Sequence, residues 1–145
     1  MEATMGRLSA IAMFVALSAC GASEHERERE RGEAFFAGAT PVVARMAGHD
    51  EVLPGSASRC ANCHGFVRAS SPSSAPTFGP TLSARFLRDA RSRRGGPASR
   101  FDAASLCRML RTGVDPASII IARSMPLYEF SDRDCAALWT YLSSD

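Results

Sequence analysis

Cys60-Ala61-Asn62-Cys63-His64 places two thiols three positions apart with an imidazole directly behind them. Thiolates and neutral imidazoles are soft metal donors, and thiols also form covalent bonds to carbon. Two cysteines at this spacing serve three chemistries: structural zinc, thiol–disulfide exchange, and covalent attachment of haem. A closed zinc site needs two further donors. Beyond the first twenty residues the chain offers only His25, His49, Cys107 and Cys135, scattered singly. A thioredoxin-like centre needs a βαβ setting, and no such pattern is present. The histidine directly after the second thiol fits the third chemistry. Each thiol adds across one porphyrin vinyl group, the chain then lies over one haem face, and the next side chain, His64, points at the iron as its proximal ligand.

The N-terminus bears on the compartment. Met1–Arg7 carries Arg7, Leu8–Ala19 is apolar, and Leu17-Ser18-Ala19-Cys20 resembles the lipobox of bacterial lipoprotein signal peptides. The resemblance implies cleavage before Cys20, lipid on its thiol and acylation of the new amino terminus. An ordinary signal peptide with an incidental cysteine is the alternative. The apolar stretch is short for a membrane span, whereas several acyl chains give stable anchoring. Gly21 follows the cysteine where the family associates Asp with inner-membrane retention, so the resemblance implies the outer membrane. Haem attachment through thioethers also takes place outside the cytoplasm, so both signals indicate a periplasm-facing, lipid-anchored protein.

Three stretches follow: residues 1–19 as signal peptide, 20–31 as a lipidated charged tether, and 32–145 as one domain. Glu24–Arg31 alternates sign without an apolar face, which reads as a solvated tether or a frayed helix start. All 17 basic residues are arginine and the formal net charge is +2, which selects no partner. A domain of this size is small for an independent core, and a covalently bound macrocycle would supply apolar surface for short helices to pack on.

Those helices can be placed from caps and periodicity. Gly32 and Phe36 sit one turn apart in a first helix over 28–38. Thr40-Pro41 reads as an N-cap with proline at the first helical position, giving a short helix ended by Gly48. Residues 69–77, rich in Ser and Pro, form a loop. Residues 82–91 read as helix with Leu82 and Phe86 on one face, and 92–100 as a basic loop. Asp102 caps the next helix, with Phe101 and Leu106 as a hydrophobic staple, Met109 and Leu110 on its apolar face, and Gly113 as terminator. Ser131 and Asp134 open the last helix, whose apolar face is Cys135, Leu138, Trp139 and Leu142.

Four of these features, in this order, resemble the class I, mitochondrial-type c-type cytochromes over most of residues 30–145. Gly32-x-x-x-Phe36 is similar to that family's first helix and Leu138-Trp139-Thr140-Tyr141-Leu142 to its last. Phe78-Gly79-Pro80-Thr81-Leu82 is similar to the loop whose proline carbonyl accepts the proximal histidine's Nδ1–H. Ser124-Met125-Pro126-Leu127-Tyr128 is similar to the loop that supplies the second axial ligand. The resemblance implies an all-α fold of short helices around one haem c. One departure stands out: residues 39–59 intervene between the first helix and the haem motif, where family members run on quickly.

The second axial ligand decides between electron transfer and chemistry at iron. Met125 lies on a proline-containing loop from which a side chain can be aimed at iron. Met109 and Met46 have the setting of core residues, and His49 reads as part of a polar turn. His64 with Met125 makes six-coordinate iron, suited to shuttling single electrons without a small-molecule substrate, and so a carrier rather than an enzyme. Two alternatives stay open: a cytochrome subunit inside a periplasmic dehydrogenase, and a sensor or peroxidatic protein with a labile sixth ligand.

Arg85, Arg88, Arg91, Arg93 and Arg94, with Arg100 beyond them, crowd one stretch opposed only by Asp89. They read either as solvated surface or as a docking face for an acidic redox partner. Nucleic acid is not expected, since no aromatic run is interleaved with them. Of the five cysteines, one is assigned to lipid and two to haem. The family topology can bring the remaining pair, Cys107 and Cys135, together as a disulfide, while two small buried hydrophobes remain the alternative.

Overall fold

A computed structural model of the chain describes residues 24–66 and 78–144. The expected signal peptide, Cys20 and the loop expected at 69–77 lie outside the described residues. Among the described residues, no helix is long and apolar enough to cross a membrane.

The first helix, α1, covers residues 24–37 and so continues through the charged run. That run is more than a tether. Arg29 pairs within the helix with Glu26 and Glu33, while Arg31 reaches Asp134 and Glu28 reaches Arg133 near the C-terminus. Gly38, at φ +75°, ends the helix.

The helix expected over 40–48 does not form. Ala44–Arg45 is instead a strand, β1, paired antiparallel with β2, Leu127–Tyr128, in the register Ala44 to Tyr128 and Arg45 to Leu127. The physical reason lies in the residues themselves. Val42 and Val43 are β-branched and lose side-chain freedom in a helix, and pairing buries Ala44 completely. Gly48, at φ +84°, serves a turn in which His49 N–H donates to the Met46 carbonyl at 3.0 Å. This two-stranded pair makes the architecture mainly helical rather than strictly all-α.

A 3-10 turn at Cys60–Asn62 carries the cysteine motif. The helix expected over 82–91 is shorter, α2 at Ala84–Arg88, capped by the Ser83 hydroxyl. Helix α3, Ala103–Thr112, starts with reciprocal hydrogen bonds between Asp102 and Ser105 and ends on Gly113 in the left-handed conformation. Helix α4, Asp132–Leu142, starts with the corresponding Ser131–Asp134 pair. Each reciprocal cap satisfies backbone donors that the first helical turn leaves unpaired.

Helices α1 and α4 meet backbone to backbone. A Cβ on Gly32 would overlap the Ala137 carbonyl and come within 2.7 Å of Tyr141 Cβ, so only glycine allows this approach. Phe35, Phe36, Leu106, Leu110, Phe130, Leu138 and Leu142 fill the buried core around the helices. A half-covered fringe, including Leu53, Cys60, Phe66, Leu82, Phe86, Ile121, Met125 and Trp139, packs against it.

Candidate functional site

The cysteine motif is held by its own backbone. Asn62 N–H donates to Arg59 O, and both Cys63 and His64 N–H groups donate to Cys60 O, which curls the motif into a tight turn. The Asn62 side-chain amide donates to Ser56 O at 2.8 Å. Cys60 and Cys63 are free and half-buried, not bonded to one another. Burial pushes the Cys60 thiol up to about 11, with the nearby Tyr128 partly offsetting it. The thiol is therefore protonated at neutral pH.

The segment at 78–82 runs alongside the motif. Gly79 N–H donates to Cys63 O and Leu82 N–H to Gly65 O, each at 2.7 Å, and Phe66 bridges to Leu82 in parallel. This brings the Pro80 carbonyl 2.9 Å from His64 Nδ1. A carbonyl can only accept, so Nδ1 carries a proton, and in the neutral ring this leaves the lone pair on Nε2. Gly79 is the floor beneath the ring. A Cβ there would sit 2.5 Å from His64 Cε1 and 2.7 Å from Nδ1. The imidazole is thus fixed in tautomer and in place, with Nε2 available as a donor.

Phe66 anchors the motif to the helices. Its ring lies 4.7 Å from that of Tyr141 on α4 and 5.8 Å from that of Phe36 on α1. It went unremarked in the sequence because a single phenylalanine after a histidine carries no periodic signal.

Met125 is half-buried and lines a cavity of about 190 Å³ together with Ile121 and Leu127. The turn before it is built by Asp115. This carboxylate is 2% exposed, and its Oδ1 accepts from Ala117 and Ile119 N–H at 2.8 Å each. The competing axial candidates sit elsewhere: Met109 is buried in the core on α3, and His49 is exposed in its turn. Three residues beyond Met125, Tyr128 is buried and its hydroxyl donates to Ser58 O at 3.0 Å. Burial, with Cys60 beside it, raises the phenol above its ordinary value. Neither Tyr128 nor Ser58 was singled out from sequence.

Cys107 on α3 and Cys135 on α4 are joined, with Cα atoms 5.3 Å apart. The bond encloses the segment carrying Met125. It also occupies the two thiols that a zinc site at Cys60 and Cys63 would need.

The arginines divide into two groups. Arg85, Arg88 and Arg94 are exposed. Arg93 turns inward: its guanidinium lies 4.9 Å from the Phe101 ring and 5.3 Å from that of Phe86, and donates to the Phe86 and Ser99 carbonyls. Burial lowers its pKa, with Arg91 adding to the effect. Arg91 lies 5.1 Å above the Phe86 ring. Arg91 and Arg93 therefore hold the 91–99 hairpin onto α2, and only the other three of the expected five face solvent. The sequence did not separate the groups, because alternating arginines in a loop have no periodicity to mark an inside.

Comparison with protein-family models, with curated proteins and with solved structures finds no match for this chain.

Proposed function

We infer that this protein is a c-type cytochrome that carries single electrons, with one haem joined to Cys60 and Cys63 and ligated by His64 and Met125. The observation that carries this reading is the His64 ring itself, fixed by the Pro80 carbonyl and Gly79 so that Nε2 alone remains to bind a metal. Two further observations support the fit. Both motif thiols are free. The half-covered apolar fringe, including Phe66, Leu82, Phe86, Ile121 and Met125, offers surface for a large apolar group.

Bound haem supplies an iron that alternates between ferric and ferrous states. The chain's own contributions are distinct. The thiols of Cys60 and Cys63 would hold the haem covalently, each adding S–H across a vinyl group, sulfur to one carbon and hydrogen to the other, so no oxidant would be needed. His64 donates Nε2, and the hydrogen bond to Pro80 raises its basicity and prevents rotation. The Met125 thioether favours the ferrous state more than a second imidazole does. With His64 and Met125 both holding the iron, no position would remain for an exchangeable ligand, which would favour outer-sphere electron transfer over catalysis.

Mass spectrometry of the mature protein is expected to show one haem that survives acid–acetone extraction, and haem freed into the extract refutes attachment. Met125→Ala is expected to abolish the near-infrared iron–thioether band and to admit carbon monoxide rapidly. The same result from Met109→Ala would refute the assignment of the axial ligand.

The Leu17–Cys20 pattern supports a lipid anchor facing the periplasm. Unchanged membrane attachment of Cys20→Ser would overturn it. A redox-protein partner docking on exposed Arg85, Arg88 and Arg94 is supported by their charge. Reversing these three is expected to slow electron transfer most at low salt, and an unchanged rate leaves them ordinary surface.

A further inference from the structure

We propose that residues 39–59 form a strap that holds the Met125 loop closed, and that the Tyr128 hydroxyl is the positioning group that fastens it. The inference rests on Met125 being an iron ligand. It concerns the stretch by which this chain departs from the family it resembles.

The strap is built from both sides. From the loop, Leu127 and Tyr128 pair with Arg45 and Ala44, and Glu129 N–H donates to Val43 O at 2.9 Å. From the strap, Leu53 N–H donates to Ala44 O at 2.8 Å, Arg45 Nε donates to Asp50 O at 3.0 Å, and Arg45 pairs with Glu129. Residues 39–59 thus fold back on themselves before reaching the cysteine motif, and β2 is the strand they grip.

The Tyr128 hydroxyl closes the circuit. It donates to the carbonyl of Ser58, two residues before Cys60, the first thiol of the motif. One residue therefore links the sixth-ligand loop to the segment that would carry the haem. Only Pro126 and Leu127 separate Tyr128 from Met125, and proline fixes one of the intervening backbone torsions. A displacement of Tyr128 therefore reaches Met125 with little slack. Upstream, Met125 N–H donates to Ala122 O and Ile121 N–H to Gly113 O, so the other end of the loop is tied back to the end of α3. The ring alone would not need its hydroxyl, since it already packs 5.5 Å from that of Phe130. A buried hydroxyl is costly unless paired, so its match to Ser58 O gives it a positional role that phenylalanine would lack.

The test uses the haem-loaded protein and imidazole as a probe that competes with Met125 for ferric iron. Apparent imidazole affinity scales with the fraction of molecules whose Met125 is detached. Loss of one buried hydrogen bond is expected to raise that fraction, and hence the affinity, about tenfold in Tyr128→Phe. Ser58→Ala keeps the accepting carbonyl and is expected to bind imidazole like wild type. Urea unfolding is measured on the same samples. A lowered urea midpoint with unchanged imidazole affinity would make the hydroxyl an ordinary stabilising contact and overturn the proposal, as would Ser58→Ala reproducing the effect. If wild type carries no covalent haem, or Met125→Ala leaves imidazole affinity unaltered, the underlying haem reading fails, and the strap with it.

Discussion

The Cys107–Cys135 bond offers the most quantitative test of how this small domain is held. Its two cysteines are 28 residues apart in sequence. Closing a loop of that length removes chain entropy from the unfolded state worth about 3.6 kcal/mol at 25 °C. Cys107 and Cys135 are 7% and 2% exposed, so replacing both by alanine also leaves small voids that add to the loss. For a domain of 114 residues, the unfolding entropy near the midpoint is about 0.24 kcal/mol/K, so the double variant should melt on the order of 15 °C lower. The assay is urea and thermal unfolding of haem-loaded wild type and Cys107→Ala/Cys135→Ala. The denaturant slope supplies a second readout. An unlinked unfolded chain exposes more surface, so m should rise in the variant if the effect acts through the unfolded state. A loss below about 1 kcal/mol, with m unchanged, would refute the entropic argument. Labelling of both cysteines in unreduced, denatured protein would refute the bond itself.

The remaining predictions probe the site and the caps. Gly79→Ala puts a Cβ 2.5 Å from His64 Cε1, so the ring or the 78–82 segment must shift. Covalent haem per protein should fall about tenfold, and a normal haem-to-protein ratio would show that the cradle is not tight. In reduced, haem-free protein, burial holds the Cys60 thiol at about 11 against an ordinary 9.0. The thiolate is then about a hundredfold scarcer, partly offset by its greater nucleophilicity. Iodoacetamide should therefore modify Cys60 about tenfold more slowly at pH 8 in the folded chain than in urea, and equal rates would refute its burial. Asp102→Ala should cost about 1 kcal/mol at neutral pH. Hydrogen bonds from Ser105 hold this carboxyl below its ordinary value, so its contribution is complete above the unfolded value near 3.9 and is lost as pH falls through the lower folded value. The stability gap between wild type and Asp102→Ala should shrink below pH 4, and a constant gap would refute the assignment.

The parts of the molecule legible in its sequence are those where one local signal settles the outcome. Asp102 to Gly113 and Ser131 onward each carry a cap, an apolar periodicity and, for the first, a glycine terminator, and both helices form where these fall. The Pro80 carbonyl beside His64 followed from family resemblance and not from spacing, because residues so far apart have no local rule to join them. The 40–48 stretch shows where local signals mislead. Thr40-Pro41 and Gly48 punctuate a helix on paper, but the partner that decides their conformation is β2, some eighty residues later. A two-residue strand has no alternation to read. Tyr128 was invisible for the same reason, since its role depends on Ser58 meeting it in space.

That stretch also bears on how so small a domain would hold the two proposed ligand loops in place. The motif side is rigid by local means: a 3-10 turn, the Pro80 contact, and Phe66 wedged at the crossing of the first and last helices. The Met125 side rests on the end of α3, where Thr112 and Leu127 line one cavity with it. It leaves α3 through the left-handed Gly113, turns on the buried Asp115 carboxylate, and re-enters at α4 through Ser131. The disulfide fixes the helices that bracket it, which limits how far its ends can separate but not where its middle lies. Placing the middle requires a contact near Met125 itself, and β1 with the Tyr128 hydroxyl supplies one. On this argument the disulfide acts mainly on global stability and the strap mainly on iron ligation. Removing the first should move the urea midpoint more than imidazole affinity, and removing the second should do the reverse.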